Sequence, residues 1–208
     1  MAKEASLNQI IRFDGRNVFF EVLDNAFGIN KIMLAFKEYD LSKPRGERFV
    51  NEITIYMDIA EFETLAYNIM YRIIDRDAMK AREAQKQGGY KFCKEVYLDM
   101  GGTFLESLAL RGQSRADNKD ESRVFRITPG EKTPWVLSAE KGAGKRTETG
   151  LIAPDGKPDS IIRVPMSDKD FRKFAVVVNN EIQAWRVLER SRKERAQKEH
   201  EGKWNNAS

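Results

Sequence analysis

Residues 160–182 read SIIRVPMSDKDFRKFAVVVNNEI. Apolar residues recur two apart up to Met166 and then three, four and seven apart, so the period changes from that of a strand to that of a helix at one point. Moved back by 109 positions, the stretch lies over 51–73. Ile162 and Val164 fall on Ile53 and Ile55, Met166 on Met57, Phe171 on Phe62, Phe174 on Leu65, Ala175 on Ala66, Val178 on Ile69 and Ile182 on Ile73. The hinge chemistry repeats as well. Asp58 with Glu61, and Ser167 with Asp170, each set a small oxygen-bearing residue at a helix N-cap and an acid in the first turn.

A second correspondence, at an offset of 85, lays VFFEVL at 18–23 over TFLESL at 103–108 and predicts a strand over 103–110. The difference of 24 residues between the two offsets reads as an insertion in the second copy, held as loops within 109–159, which are rich in Gly, Pro, Ser and charge. The fold class is therefore α+β. It is built of tandem ββββα modules, two antiparallel four-stranded sheets each packed by a helix, with the first module and a linker helix over 1–87, the second over 88–190 and a charged tail over 191–208.

Outward from that unit, 8–13 and 17–24 flank Asp14-Gly15-Arg16 as a hairpin, 29–39 is a third strand and 49–57 a fourth. The connection 40–48, DLSKPRGER, is a basic loop. A helix over 58–74 buries Phe62, Leu65, Ala66, Ile69 and Ile73, and a polar helical link ends at Gly88-Gly89. In the second module 90–99, 103–110, 123–128, 134–140 and 160–165 read as strands. Residues 111–122 and 151–159 read as loops, and 141–149, KGAGKRTET, as a Gly-rich basic segment.

Composition bounds the function. With 208 residues, 41% of them hydrophobic, the chain buries a good core. Its one cysteine, Cys93, excludes an internal disulfide and a cysteine-based zinc site and points to a reducing cytoplasm. No early apolar run resembles a signal peptide and none reaches the length of a bilayer span, so no membrane partner is expected. The net charge of +4 is a mild basic bias.

Catalytic signals fail on inspection. AEKGAGKRT departs from a phosphate-binding loop at Ala139, where a glycine belongs, and at Arg146, where a hydroxyl belongs. The single histidine, His200, lies in the tail, so no histidine-based triad or metal site can be assembled, and no cofactor is expected.

Four strands followed by a helix, written twice over about 7–190, resembles the Whirly, Pur-alpha and positive-cofactor-4-like group of single-stranded nucleic-acid-binding proteins. The resemblance is one of topology and carries no diagnostic motif; the long inserts and the charged tail depart from the plan. It implies binding of single-stranded DNA, or RNA, on open sheet faces and edge loops, often by an oligomer. The residues suit that task, since single strands offer bases for stacking and phosphates for cations. Candidate stacking residues are Phe19, Tyr39, Tyr56, Tyr97 and Trp135. Candidate phosphate contacts are Arg16, Lys31, Lys37, Lys43, Arg45, Arg48, Arg123, Arg126, Lys141, Lys145 and Arg146. The alternative function is a non-catalytic structural or adaptor protein that self-associates or binds a protein through its open sheet face.

Overall fold

The computed structural model describes residues 8–205, with side chains described over 8–198. Residues 1–7 of the first expected module, 206–208 of the expected tail and the side chain of His200 lie outside the described residues.

The fold is α+β with two antiparallel sheets, one of four strands and one of five. The first is a meander of β1 (Gln9–Asp14), β2 (Val18–Leu23), β3 (Lys31–Tyr39) and β4 (Phe49–Asp58), in that spatial order. The helices α1 (Ile59–Met70) and α2 (Ile73–Gly88) follow. The second sheet holds β5 (Tyr97–Thr103), β6 (Asp120–Pro129) and β7 (Trp135–Arg146), with a short helix α3 (Leu105–Leu110) between the first two. Along the other edge of β7 lie β8 (Ile152–Pro154), paired with its last residues, and β9 (Ser160–Met166), paired with 135–141. The chain continues into the long helix α4 (Asp168–Asn205).

Strand alternation puts the apolar sets of the two sheets into one core. Phe20 and Val22, Leu34 and Phe36, and Ile53 and Ile55 share it with Phe125 and Ile127, Leu137 and Ala139, and Ile162 and Val164. β4 lies against β6 and β7, while β9 lies against β2 and β3. Phe174 of α4 reaches across to the first half, its ring centroid 5.3 Å from Phe20, 5.3 Å from Phe62 and 6.5 Å from Phe13. The helices α1 and α4 are tied at both ends. Arg186 pairs with Glu63 at 2.7 Å, and Arg172 pairs with Asp75 at 2.5 Å while donating to the carbonyl of Ile69.

Every pair matched 109 positions apart, from Ile53 with Ile162 to Ile69 with Val178, is buried in both members. Ile182 is buried too, but its counterpart Ile73 is 36% exposed. The reason is a break in the first helix: Arg72 takes a left-handed conformation with φ 60, so α2 leaves in a new direction. The expected helix over 58–74 is thus two helices. The caps differ as well. Ser167 Oγ accepts from the Asp170 N–H at 3.1 Å and donates to its carboxylate at 2.7 Å, whereas Asp58 makes no side-chain cap and pairs with Lys31 at 2.8 Å.

Other expectations need correction. Residues 103–110 do not form a strand: β5 ends at Thr103, and α3 starts because the Asp120 carboxylate accepts from the Leu105 N–H at 2.7 Å. The correspondence of 18–23 with 103–108 therefore fails. Residues 90–96 lie outside β5, 120–122 belong to β6, and 152–154 form β8 within the expected loop. The Gly-rich basic segment is largely strand, since β7 runs to Arg146. Its glycines serve close packing: a Cβ at Gly144 would stand 2.4 Å from a methyl of Ile152, and one at Gly142 would stand 2.9 Å from Pro158 Cα. The expected tail is helical through Asn205.

Candidate nucleic-acid interface

The outer face of the first sheet carries its chemistry at one end, where the β1–β2 turn meets the β3–β4 loop. Gly15 N–H closes the turn on the Val18 carbonyl at 2.7 Å, and Tyr39 N–H donates to the Asn17 carbonyl at 2.9 Å. The Tyr39 hydroxyl adds a bond to the Arg16 carbonyl at 3.0 Å. The loop is closed by Asp40 N–H on the Arg48 carbonyl at 2.8 Å. Hydrogen bonds from the Ser42 hydroxyl and N–H hold the Asp40 carboxyl below the usual carboxylate range. A register shift at Glu38/Tyr39 then sets Tyr39 opposite Phe49.

Phe19 is the centre of this surface. It alternates with the core residue Phe20 and so points outward, yet it is only 3% exposed. Four side chains cover it. The Arg12 guanidinium lies 3.7 Å from its ring centroid, Lys37 Nζ 5.8 Å, and the rings of Phe49 and Tyr39 6.0 and 6.2 Å. Phe49 itself is 61% exposed and offers its ring to solvent. Lys37 also pairs with Glu21 at 2.9 Å and Glu52 at 3.7 Å, and Arg12 pairs with Asp14. Around the rim, Arg16, Lys43, Arg45 and Arg48 form no ion pair among the described residues. Arg48 is held instead by its Nε–H on the Lys43 carbonyl at 3.1 Å.

The structure brings Arg16, Lys37, Tyr39, Lys43, Arg45 and Arg48 together here, and Tyr56 stands about half exposed farther along the same outer face. Lys31, at the far end of β3, is held by Asp58. Phe49 and Arg12 escaped the sequence reading. Their signal was parity: Arg12 alternates with Ile11 and Phe13, and Phe49 opens the strand that follows the basic loop.

The remaining candidates lie away from this surface. Trp135 is not a stacking platform but a core residue, stacked on Phe171 at 4.4 Å with its Nε1–H on the Asp168 carboxylate at 3.1 Å. Against burial, which raises it, the Trp135 and Arg172 bonds hold Asp168 below its ordinary range. Tyr97 packs edge-on to Phe125, and burial, then Asp99 and Glu61, push its phenol upward. Arg123 bridges the sheets, donating to the Thr54 carbonyl at 2.8 Å and pairing with Glu121, which Lys141 also approaches at 3.5 Å. Arg146 joins Asp120 at 2.8 Å to Glu106 at 2.6 Å and lies over the Phe104 ring. Arg126 sits between Glu95 and Glu140 on the outer face of the second sheet. Lys145 is exposed and makes no ion pair among the described residues.

Among the described residues no group of three His, Cys, Asp or Glu could hold a metal ion, and no helix is long and apolar enough to cross a membrane. Comparison with protein-family models, with curated proteins and with solved structures finds no match to the chain. The functional reading therefore rests on the geometry, which offers an exposed aromatic ring beside unpaired cations: a surface able to stack a base and to neutralise phosphates.

Proposed function

We propose that this protein binds single-stranded nucleic acid, DNA in preference to RNA, on the outer face of the first sheet and its basic rim, largely without regard to sequence. The observation that carries this reading is the exposed ring of Phe49 packed on Phe19, with Tyr39, Arg12 and Lys37 around it and four cations without ion pairs at the loop ends. Stacking contributes about 1–3 kcal/mol per base, and each phosphate contact adds about −0.7 to the slope of log affinity against log salt. Lys43→Ala/Arg45→Ala/Arg48→Ala is expected to lower that slope and weaken all sequences alike. Phe49→Ala is expected to weaken binding while leaving the slope in place. Fluorescence anisotropy of labelled single strands across a salt series measures both. Duplex DNA that competes as well as a single strand would reject the stacking mechanism.

We also infer that the two sheets are copies of one ββββα unit. Strand register supports this, because Phe20 opposite Phe36 and Leu34 opposite Ile55 match Phe125 opposite Ala139 and Leu137 opposite Val164. The Asn51 amide donates to Ser160 Oγ at 2.6 Å, so two members of one matched pair meet each other, as residues on a two-fold axis do. Most of the extra residues of the second copy then fall between β5 and β6, where α3 and its loop replace a tight turn, and the others between β7 and β9, where β8 lies. A second reading, self-association or protein binding, is favoured by the edge strand β5, whose outward Leu98 and Met100 are 39% and 40% exposed.

A further inference from the structure

The outer face of the second sheet carries a groove of about 500 Å³ that the first site does not use. Three residues cross it in one row on neighbouring strands, because Arg126 is the register partner of Ser138 and Ser138 that of Arg163. Strand spacing of about 4.8 Å sets these side chains side by side. Glu140, two residues beyond Ser138 on β7, flanks the row on one side and Val136 on the other, and Phe92 forms a wall with its ring 67% exposed.

The polar groups in this groove are only partly occupied. Arg126 Nε donates to Glu140 Oε1 at 3.1 Å and its Nη1 pairs with Glu95 at 3.2 Å. Arg126 Nη2 and Glu140 Oε2 make no hydrogen bond among the described residues, so these two joined side chains keep one donor and one acceptor for a ligand. Arg163 is exposed and forms no ion pair among the described residues. The lining sets Arg126 and Arg163 against Glu131 and Glu140, with Glu95 also on Arg126, so the charges of the groove balance too closely to favour a phosphate. What they present is a hydrogen-bonding edge beside an aromatic ring, which suits a planar, neutral, hydrogen-bonding ligand.

We propose that this groove takes one unstacked base of the bound strand, and that guanine fits it best. Guanine offers O6 and N7 as acceptors to an arginine, and its N1–H and N2–H₂ as donors to a carboxylate. Thymine has no amino group to give Glu140, and adenine and cytosine offer it one amino group without the adjacent ring N–H. Phe92 supplies the stacking face. The inference rests on the strand-binding reading above and adds to it a base preference located on the other sheet.

The test uses the full chain and twenty-nucleotide oligothymidylates carrying dT, dC, dA or dG at one central position, with fluorescence anisotropy as the readout. The dG strand is expected to bind about tenfold more tightly than the all-dT strand. Glu140→Gln is expected to remove that preference while leaving all-dT affinity within about twofold, since the amide turns one of the two acceptor oxygens into an NH₂ donor that opposes a guanine N–H. Phe92→Ala, at an exposed position that the core does not need, is expected to weaken the dG strand and keep the circular dichroism melt of the parent. Equal affinity for all four strands, or a dG preference that survives in Glu140→Gln, would overturn the inference while leaving strand binding intact. Guanosine monophosphate that competes better than the dG strand would overturn it in favour of a free-nucleotide site, and failure of every strand to bind would overturn both readings.

Discussion

Asp99 shows how a single carboxylate can oppose the fold that holds it. It lies on the core-facing side of β5, opposite Phe125. Burial, with Glu61 and Asp58 as like charges, pushes its carboxyl above the usual range, against the pull of Lys31 and a bond from the Met100 N–H. The sign of the stability effect follows from linkage. The folded protein binds this proton more tightly than the unfolded chain does, so Asp99 costs stability once pH rises above its ordinary value of 3.8, and the whole cost is present above its raised folded value. Asp99→Asn keeps an acceptor for Met100 and removes the charge. It is expected to raise the melting temperature at neutral pH, with the gain shrinking as pH falls to 3.8 and below. Paired thermal melts of the two proteins across that range measure the difference; a gain that is constant with pH would show that the charge is not its source.

At the scale of elements, the contrast between α3 and α4 shows what a local pattern can specify. The α3 segment has one buried residue, Leu108, and its start is fixed from outside by Asp120, which caps Leu105 N–H and binds Arg146. Asp120→Ala is therefore expected to fray α3 at a cost of about 0.5–2 kcal/mol. Hydrogen exchange should speed up over 105–110 and leave α1 and α4 protected; unchanged exchange there would mean that the helix is held by Leu108 alone. The same non-local cap explains why 103–110 reads as a strand in sequence, where FLESLAL offers too few turns to separate the two periods. The strand-to-helix passages at Met57 and Met166 were legible because eight or more apolar positions repeat there with a change of period. The candidate surface was legible where loop composition sufficed, as at Lys43, Arg45 and Arg48. It was not legible where pairing across the sheet decides: Arg126 meets Glu140, and Arg146 meets Glu106, over separations no local pattern reveals. Trp135 could have been placed by parity, since it shares a face of β7 with Leu137 and Ala139.

At the scale of the whole molecule, the decisive fact is that neither sheet buries its face without the other. β4 lies against β6 and β7, β9 lies against β2 and β3, and Phe174, fully buried, fills the space among Phe13, Phe20 and Phe62 of the first half. Trp185, farther along α4, packs edge-on to Phe27 at 5.3 Å, so the middle of this helix is anchored on the first half as well. A chain with two self-sufficient units would unfold in two steps; a shared core predicts one. Phe174→Ala removes a ring that touches both halves and is expected to cost about 3–5 kcal/mol. Its effect should appear equally in tryptophan fluorescence, in which Trp135 and Trp185 report the core alongside the signal of Trp204, and in far-ultraviolet circular dichroism, which reports both sheets and all helices. In urea the two probes should trace one transition for the parent and one, shifted together to lower urea, for the variant. Separation of the two curves would mean that each sheet and its helix hold together alone, and the core around Phe174 would then be a contact between units and not the centre of one.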